Sequence, residues 1–227
     1  MDRRFVIGGG AAAVIAVAGG GYFLMSRPDE ALADTASSPV ATGGSAAASD
    51  VDTSGIKEMV LGDENAPITV MEYASFTCPH CAHWHETSWD KLKSEYIDTG
   101  KVKFVYRDVY FDRYGLWAAM IARCDTSKFF GLVDMFYETQ DTWLRGAKTE
   151  ADIADNLRKI GRVAGLTDEA MEECLNDMDK AKALTVWYQK NATDDGITGT
   201  PSFVIDGETH SNMAWADFKA ILDAKLG

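Results

Sequence analysis

Residues 68–106 read ITVMEYASFTCPHCAHWHETSWDKLKSEYIDTGKVKFVY, and the order of segments within them decides the architecture. Ile68 to Tyr73 is rich in β-branched and aromatic residues and follows Asp63-Glu64-Asn65-Ala66-Pro67, a turn-forming run with proline at the strand entrance, so it predicts a strand. Cys78-Pro79 predicts a helix start, because proline at the first helical position has no N–H to lose. Cys81, Trp84, Trp89, Leu92 and Tyr96 recur at helical spacing, and Gly100 stops the run. Val102 to Tyr106 predicts a second strand. Strand, helix and strand within 39 residues form a βαβ unit with a parallel pair.

Downstream the pattern turns helical. Leu116/Met120, Phe129/Val133/Phe136 and Ile153/Leu157/Ile160 are spaced by three or four residues, which predicts a helical block from Tyr114 to Asp195. Thr200-Pro201 then leads into a strand at Ser202 to Ile205, Asp206-Gly207 supplies a hairpin turn, and Trp215 to Leu226 has the periodicity of a closing helix. Setting the 82-residue helical block aside leaves 91 of the 173 residues from Gly55 onward, arranged as βαβ followed by ββα. That is the size and order of a thioredoxin fold, an α/β class, here with a large inserted helical subdomain.

Upstream, Arg3-Arg4 precede an uncharged stretch from Phe5 to Met25, and Ala31-Leu32-Ala33 supplies a cleavage site, so residues 1–33 read as an export signal. The paired arginines and the glycine-rich apolar stretch resemble a twin-arginine signal, although Phe5 follows Arg4 without the intervening residue of that pattern. An uncleaved anchor at residues 5–25 is the alternative, and either way the rest of the chain is expected outside the cytoplasm, where disulfides persist. Residues 34–54 have no Leu, Ile, Phe, Met, Trp or Tyr and read as a disordered linker. The 227 residues carry a net charge of −13, and residues 1–33 are neutral, so the whole charge falls on the exported part. Such a surface repels phosphate backbones, and no nucleic-acid partner is expected.

The chemistry concentrates in Cys78-Pro79-His80-Cys81. A cysteine at a helix N-cap meets unsatisfied N–H groups and the positive end of the helix dipole, both of which favour thiolate. Cys78 is therefore expected to be acidic and reactive. Pro79 pre-sets the turn, and a protonated His80 adds positive charge, which together make the disulfide a strong oxidant. Cys81, one turn inside, is expected to be buried. With His80, His83 and His85 the pair could be half a zinc site, but zinc needs a second ligand pair and the chain offers only distant His210 and two isolated cysteines, so no metal is assigned. Covalent haem attachment is excluded because Ala82, not histidine, follows Cys81. His83 and His85 are expected to be solvated or to line the rim of the site.

The motif CPHC, an acid six residues before it (Glu72), the helical insertion and the later Thr200-Pro201 together resemble the DsbA family of extracytoplasmic thiol-disulfide oxidoreductases, over about residues 55–227. The resemblance implies that Cys78 is the nucleophile, Cys81 the resolving thiol and Pro201 a cis-proline beside them. It further implies that Thr200 pairs its backbone with an extended substrate. Glu72 takes the role of a buried acid exchanging a proton with the inner cysteine, and Lys103 on the adjacent strand is its expected partner. No cofactor is implied. The implied partners are reduced exported polypeptides and a quinone-linked membrane reoxidant of DsbB type, in the periplasm or its equivalent. Threonine before the cis-proline is common among isomerases and reductases of this fold, whereas the best-known oxidants carry valine there. The Pro-His dipeptide, and the presence of only a linker where the isomerases place a dimerisation domain, favour oxidation. Cys124 and Cys174 are expected either to form a second, structural disulfide or to be two separate buried thiols. A metal-binding or chaperone-like protein remains the rival from another class.

Overall fold

The computed structural model describes residues 51–227; the expected export signal at 1–33 and most of the expected linker at 34–54 lie outside the described residues. A five-stranded mixed sheet has the order β1-β3-β2-β4-β5. The strands are β1 (Met59–Leu61), β2 (Ile68–Ala74), β3 (Val102–Asp108), β4 (Ser202–Ile205) and β5 (Glu208–Ser211). β2 and β3 are parallel, from Ile68 opposite Val102 to Ala74 opposite Asp108, as the βαβ pattern predicts; the remaining pairs are antiparallel. β1 escapes the sequence reading because three residues carry no period. It turns into Gly62, whose φ of 98° and close approach to the Val102 carbonyl suit only glycine. The Asp206-Gly207 turn has positive φ at both residues, 48° and 86°, which is the hairpin geometry that matches strand twist.

The first helical run, 79–97, is continuous but not uniform. It passes through α1 (Pro79–Trp84), a π-helical turn His85–Trp89, α2 (Asp90–Leu92) and a second π-helical turn Lys93–Ile97. The five-residue step from Trp84 to Trp89 is too long for one α-helical face, and the π turn absorbs it so that both indoles are buried. Between β3 and β4 stand α3 (Arg113–Ala122), α4 (Phe129–Glu138), a π turn Asp141–Arg145, α5 (Glu150–Val163), α6 (Asp168–Asn176) and α7 (Met178–Asp194). These helices correspond to the predicted helical block. α8 (Trp215–Leu226) closes the chain.

Strand alternation divides the sheet between two layers. Trp84 of α1, Phe203 of β4 and Phe218 of α8 pack together, with ring centroids 4.7 to 5.4 Å apart, on the face that also takes Val70 and Phe104. Tyr73, Val204 and Ala192 of α7 pack in a separate cluster. Glu72, one residue out of phase with Tyr73, therefore enters the larger core beneath α1. Cys124, just after α3, is disulfide-bonded to Cys174 in α6, with their Cα atoms 5.8 Å apart.

Candidate active site

Cys78 occupies the N-cap of α1 with an extended backbone (φ −83°, ψ 120°), and Pro79 stands at the first helical position. Asp112, the N-cap of α3, accepts from the amides of Tyr114 and Gly115 and also from the Thr77 hydroxyl at 2.9 Å, so one carboxylate ties the helical block to the residue before the cysteine. Gln140, buried between α4 and the π turn after it, donates from Nε2 to the carbonyls of Phe76 (2.8 Å) and Cys78 (3.0 Å). Nothing in the sequence singles out Gln140; only the chain reversal after α4 brings it under the C-x-x-C loop.

Both cysteines of the motif are free thiols here, Cys78 7% exposed and Cys81 fully buried. Hydrogen bonding from the Cys81 thiol is the main reason the Cys78 pKa is brought down to about 5. Burial opposes that shift, while the Thr200 side chain and the backbone N–H groups of Cys81 and His80 add to it. Burial pushes the Cys81 thiol well above the ordinary value, and the nearby Cys78 and Glu72 charges push it further. The two sulfurs thus differ strongly in acidity, one a thiolate at neutral pH and the other a held thiol. His80 reaches the sulfur through its backbone N–H, while its imidazole is exposed. The Thr200–Pro201 peptide is cis, and Cys78 Sγ lies 3.5 Å from the Thr200 carbonyl oxygen.

One expectation needs correction and another is narrowed. Lys103 does not meet Glu72: its Nζ lies 2.8 Å from Glu64 Oε2, because in the β2–β3 register Lys103 stands opposite Thr69 while Glu72 stands opposite Tyr106. And of the two places expected for His85, solvent or the rim of the site, it takes the second, in the wall of the cleft beside Pro79. It is 6% exposed, and its Nε2 lies 3.1 Å from Oε2 of the fully buried Glu72. The π turn carries His85 inward, where its ring stacks on Tyr137 with centroids 4.2 Å apart. His83 does remain exposed, 3.7 Å from Glu86, so the histidines do not converge. Among the described residues no group of three or more His, Cys, Asp or Glu side chains is placed to hold a metal ion. Beside Pro79 opens a cleft of about 570 Å³ whose walls include His85, Trp89, Asp134, Tyr137 and Gln140.

A thioredoxin fold with a helical insertion, carrying a C-x-x-C pair at a helix start against a cis-proline, defines a class of dithiol proteins. The model of the thioredoxin family matches residues 54–224, and the chain belongs to that family. A Rickettsia conorii protein named as a protein-disulfide oxidoreductase is 35% identical over 172 residues, covering 74% of this chain and 60% of its own length. The chain spans 60 to 64% of the length of the rickettsial relatives it matches. Disulfide bond formation protein D of Bacillus subtilis is 29% identical over 177 residues, covering 74% of this chain and 76% of its own length. Of the solved structures, α-DsbA1 of Wolbachia pipientis has a TM-score of 0.65 at 30% identity, covering 74% of this chain and 90% of its own. A protein-disulfide isomerase of Novosphingobium aromaticivorans also has a TM-score of 0.65, at 26% identity, covering 75% and 97%. The fold is therefore DsbA-like.

Proposed function

We propose that the chain is an exported thiol-disulfide oxidoreductase of the DsbA type that introduces disulfides into other exported polypeptides through Cys78 and Cys81. The observation that carries this reading is the acidity contrast at the pair. A Cys78 thiolate with a pKa of about 5 is a good leaving group, and stabilising the reduced form makes the Cys78–Cys81 disulfide oxidising. A substrate thiolate attacks Cys78 Sγ, the Cys78–Cys81 bond breaks, and Cys81 leaves as a thiolate that is protonated at once. A second substrate thiol then attacks the mixed disulfide, the substrate leaves oxidised, and two electrons stay on the cysteine pair. Edge backbone at Thr200, beside the sulfur, is suited to hold an extended substrate. Glu72 exchanges the Cys81 proton, and the Cys124–Cys174 bond has a structural role. In this reading the protein works in the periplasm or its equivalent and hands its electrons to a quinone-linked membrane reoxidant of DsbB type. Among the described residues no helix is long and apolar enough to cross a membrane.

Equilibration of the Cys78–Cys81 pair with a glutathione buffer tests the direction. An oxidase should give a potential well above that of thioredoxin, about −270 mV, and a value that low would overturn the oxidase reading in favour of a reductase. Cys81→Ser should accumulate mixed disulfides with newly exported chains, and Cys78→Ser should lose all exchange. Isomerase action, which Thr200 also suits, would show instead as reshuffling of scrambled substrates by the reduced enzyme.

A further inference from the structure

We propose that His85 is a positioning residue that carries protons between the cleft beside Pro79 and buried Glu72, and so sets the protonation of Cys81 during exchange. This rests on the reading of Cys78–Cys81 as an exchanging pair. Glu72 has no exposed atoms, so a proton it takes from Cys81 needs an exit through the protein. Among the described residues the only polar side chain hydrogen-bonded to its carboxylate is His85, at 3.1 Å, and its second oxygen, Oε1, meets no partner there. His85 is also a wall of the cleft, and its Nδ1 is buried with no hydrogen-bond partner among the described residues. One ring thus touches the buried acid through Nε2 and bounds the cleft with the unpartnered Nδ1 just beneath its wall. An imidazole is the one side chain that can accept a proton at one nitrogen while releasing one from the other.

The groups facing His85 come from four elements: Glu72 from β2, Tyr106 from β3, Tyr137 and Asp134 from α4, and Trp84 and Trp89 from its own helical run. The two tyrosines hold each other's hydroxyls at 2.6 Å and are kept neutral by burial. Asp134 also lines the cleft, and its carboxyl is pushed up by burial, which suits it to pass a proton on to water.

The test uses reduced full-length protein with glutathione disulfide as oxidant. The Cys78 thiolate breaks the glutathione S–S bond and one glutathione thiolate leaves. Cys81 gives its proton to Glu72 and its thiolate attacks Cys78 Sγ, expelling the second glutathione thiolate, which water protonates. The cysteine pair loses the two electrons that glutathione disulfide gains. His85→Gln should slow the second step roughly tenfold or more. It should displace the pH profile of that step in the same sense as Glu72→Gln, and add nothing in the double variant. The first step, governed by a Cys78 acidity that Cys81, Thr200 and backbone N–H groups set without Glu72 or His85, should keep its pH profile. A wild-type second step in His85→Gln, or effects that multiply in the double variant, would overturn the proposal. Should His85→Gln not fold, the His85 ring resonances of the wild type give a second measurement. They should move when the pair is oxidised and lose that response in Glu72→Gln; a response that survives Glu72→Gln overturns the relay. Ready closure by glutathione disulfide without oxidation of reduced polypeptides would sink the functional reading while leaving this test intact.

Discussion

Cys78 binds its proton about four powers of ten more weakly than an ordinary thiol, a pKa of about 5 against 9.0. Alkylation of the reduced protein by iodoacetamide should therefore stay flat around neutral pH and fall through a midpoint of about 5 on acidification. Thr200→Val removes a buried hydroxyl that makes no full hydrogen bond among the described residues but helps to lower the Cys78 pKa, and should move that midpoint upward. An unchanged midpoint would show that the hydroxyl does not act on the sulfur. The same shift makes stability depend on pH. Because the folded-state pKa lies below the unfolded one, the reduced form gains stability that is complete above the unfolded value near 9 and is lost as pH falls through about 5. Urea unfolding of the reduced protein across that window checks the sign, and the oxidised form, with no Cys78 thiol to titrate, should lack this component.

At the scale of elements, the loop before α1 is held from outside itself. Gln140 donates to two buried carbonyls; in Gln140→Ala the Cys78 carbonyl keeps the Ala82 amide at 3.2 Å, but that of Phe76 is left without a donor, at about 1 to 3 kcal/mol. A fall in the urea midpoint is expected together with a changed Cys78 titration, since the two carbonyls that lose the Gln140 amide flank the loop that places Cys78. A stability loss with an unchanged titration would mean that Gln140 only braces the fold. Gly62 makes a different point about β1. An added Cβ would lie 2.7 Å from the Val102 carbonyl at a φ of 98°, so Gly62→Ala should cost more than about 1 kcal/mol in chemical unfolding.

For the whole molecule, the Cys124–Cys174 bond closes a loop across the helical block, with a sequence separation of 50. In the chain-entropy account, its loss costs at most about 4 kcal/mol. The double variant Cys124→Ser/Cys174→Ser should thus lower the guanidinium midpoint while keeping glutathione-driven closure of Cys78–Cys81. Loss of closure in a protein that still folds would instead tie this bond to the site. The buried Asp108–Arg123 pair, at 2.6 Å beside the same helix end, is a second brace across the block: it joins β3 to the residue after α3.

The sequence alone determined the βαβ unit, the helical insertion, the closing hairpin and helix, and the C-x-x-C at a helix start. Each of these is written in local period, turn chemistry or capping, which act between near neighbours. Only the tertiary structure decided the rest of the site. Glu72 finds His85 and not Lys103, because β-sheet register and one π turn determine which side chains share the space beneath α1. Gln140 reaches the Cys78 carbonyl across 62 residues of chain, a separation over which no local pattern extends. The polar groups around Cys81 come from separate elements, and a polar residue's burial depends on what packs over it, which composition and spacing along one strand or helix do not record.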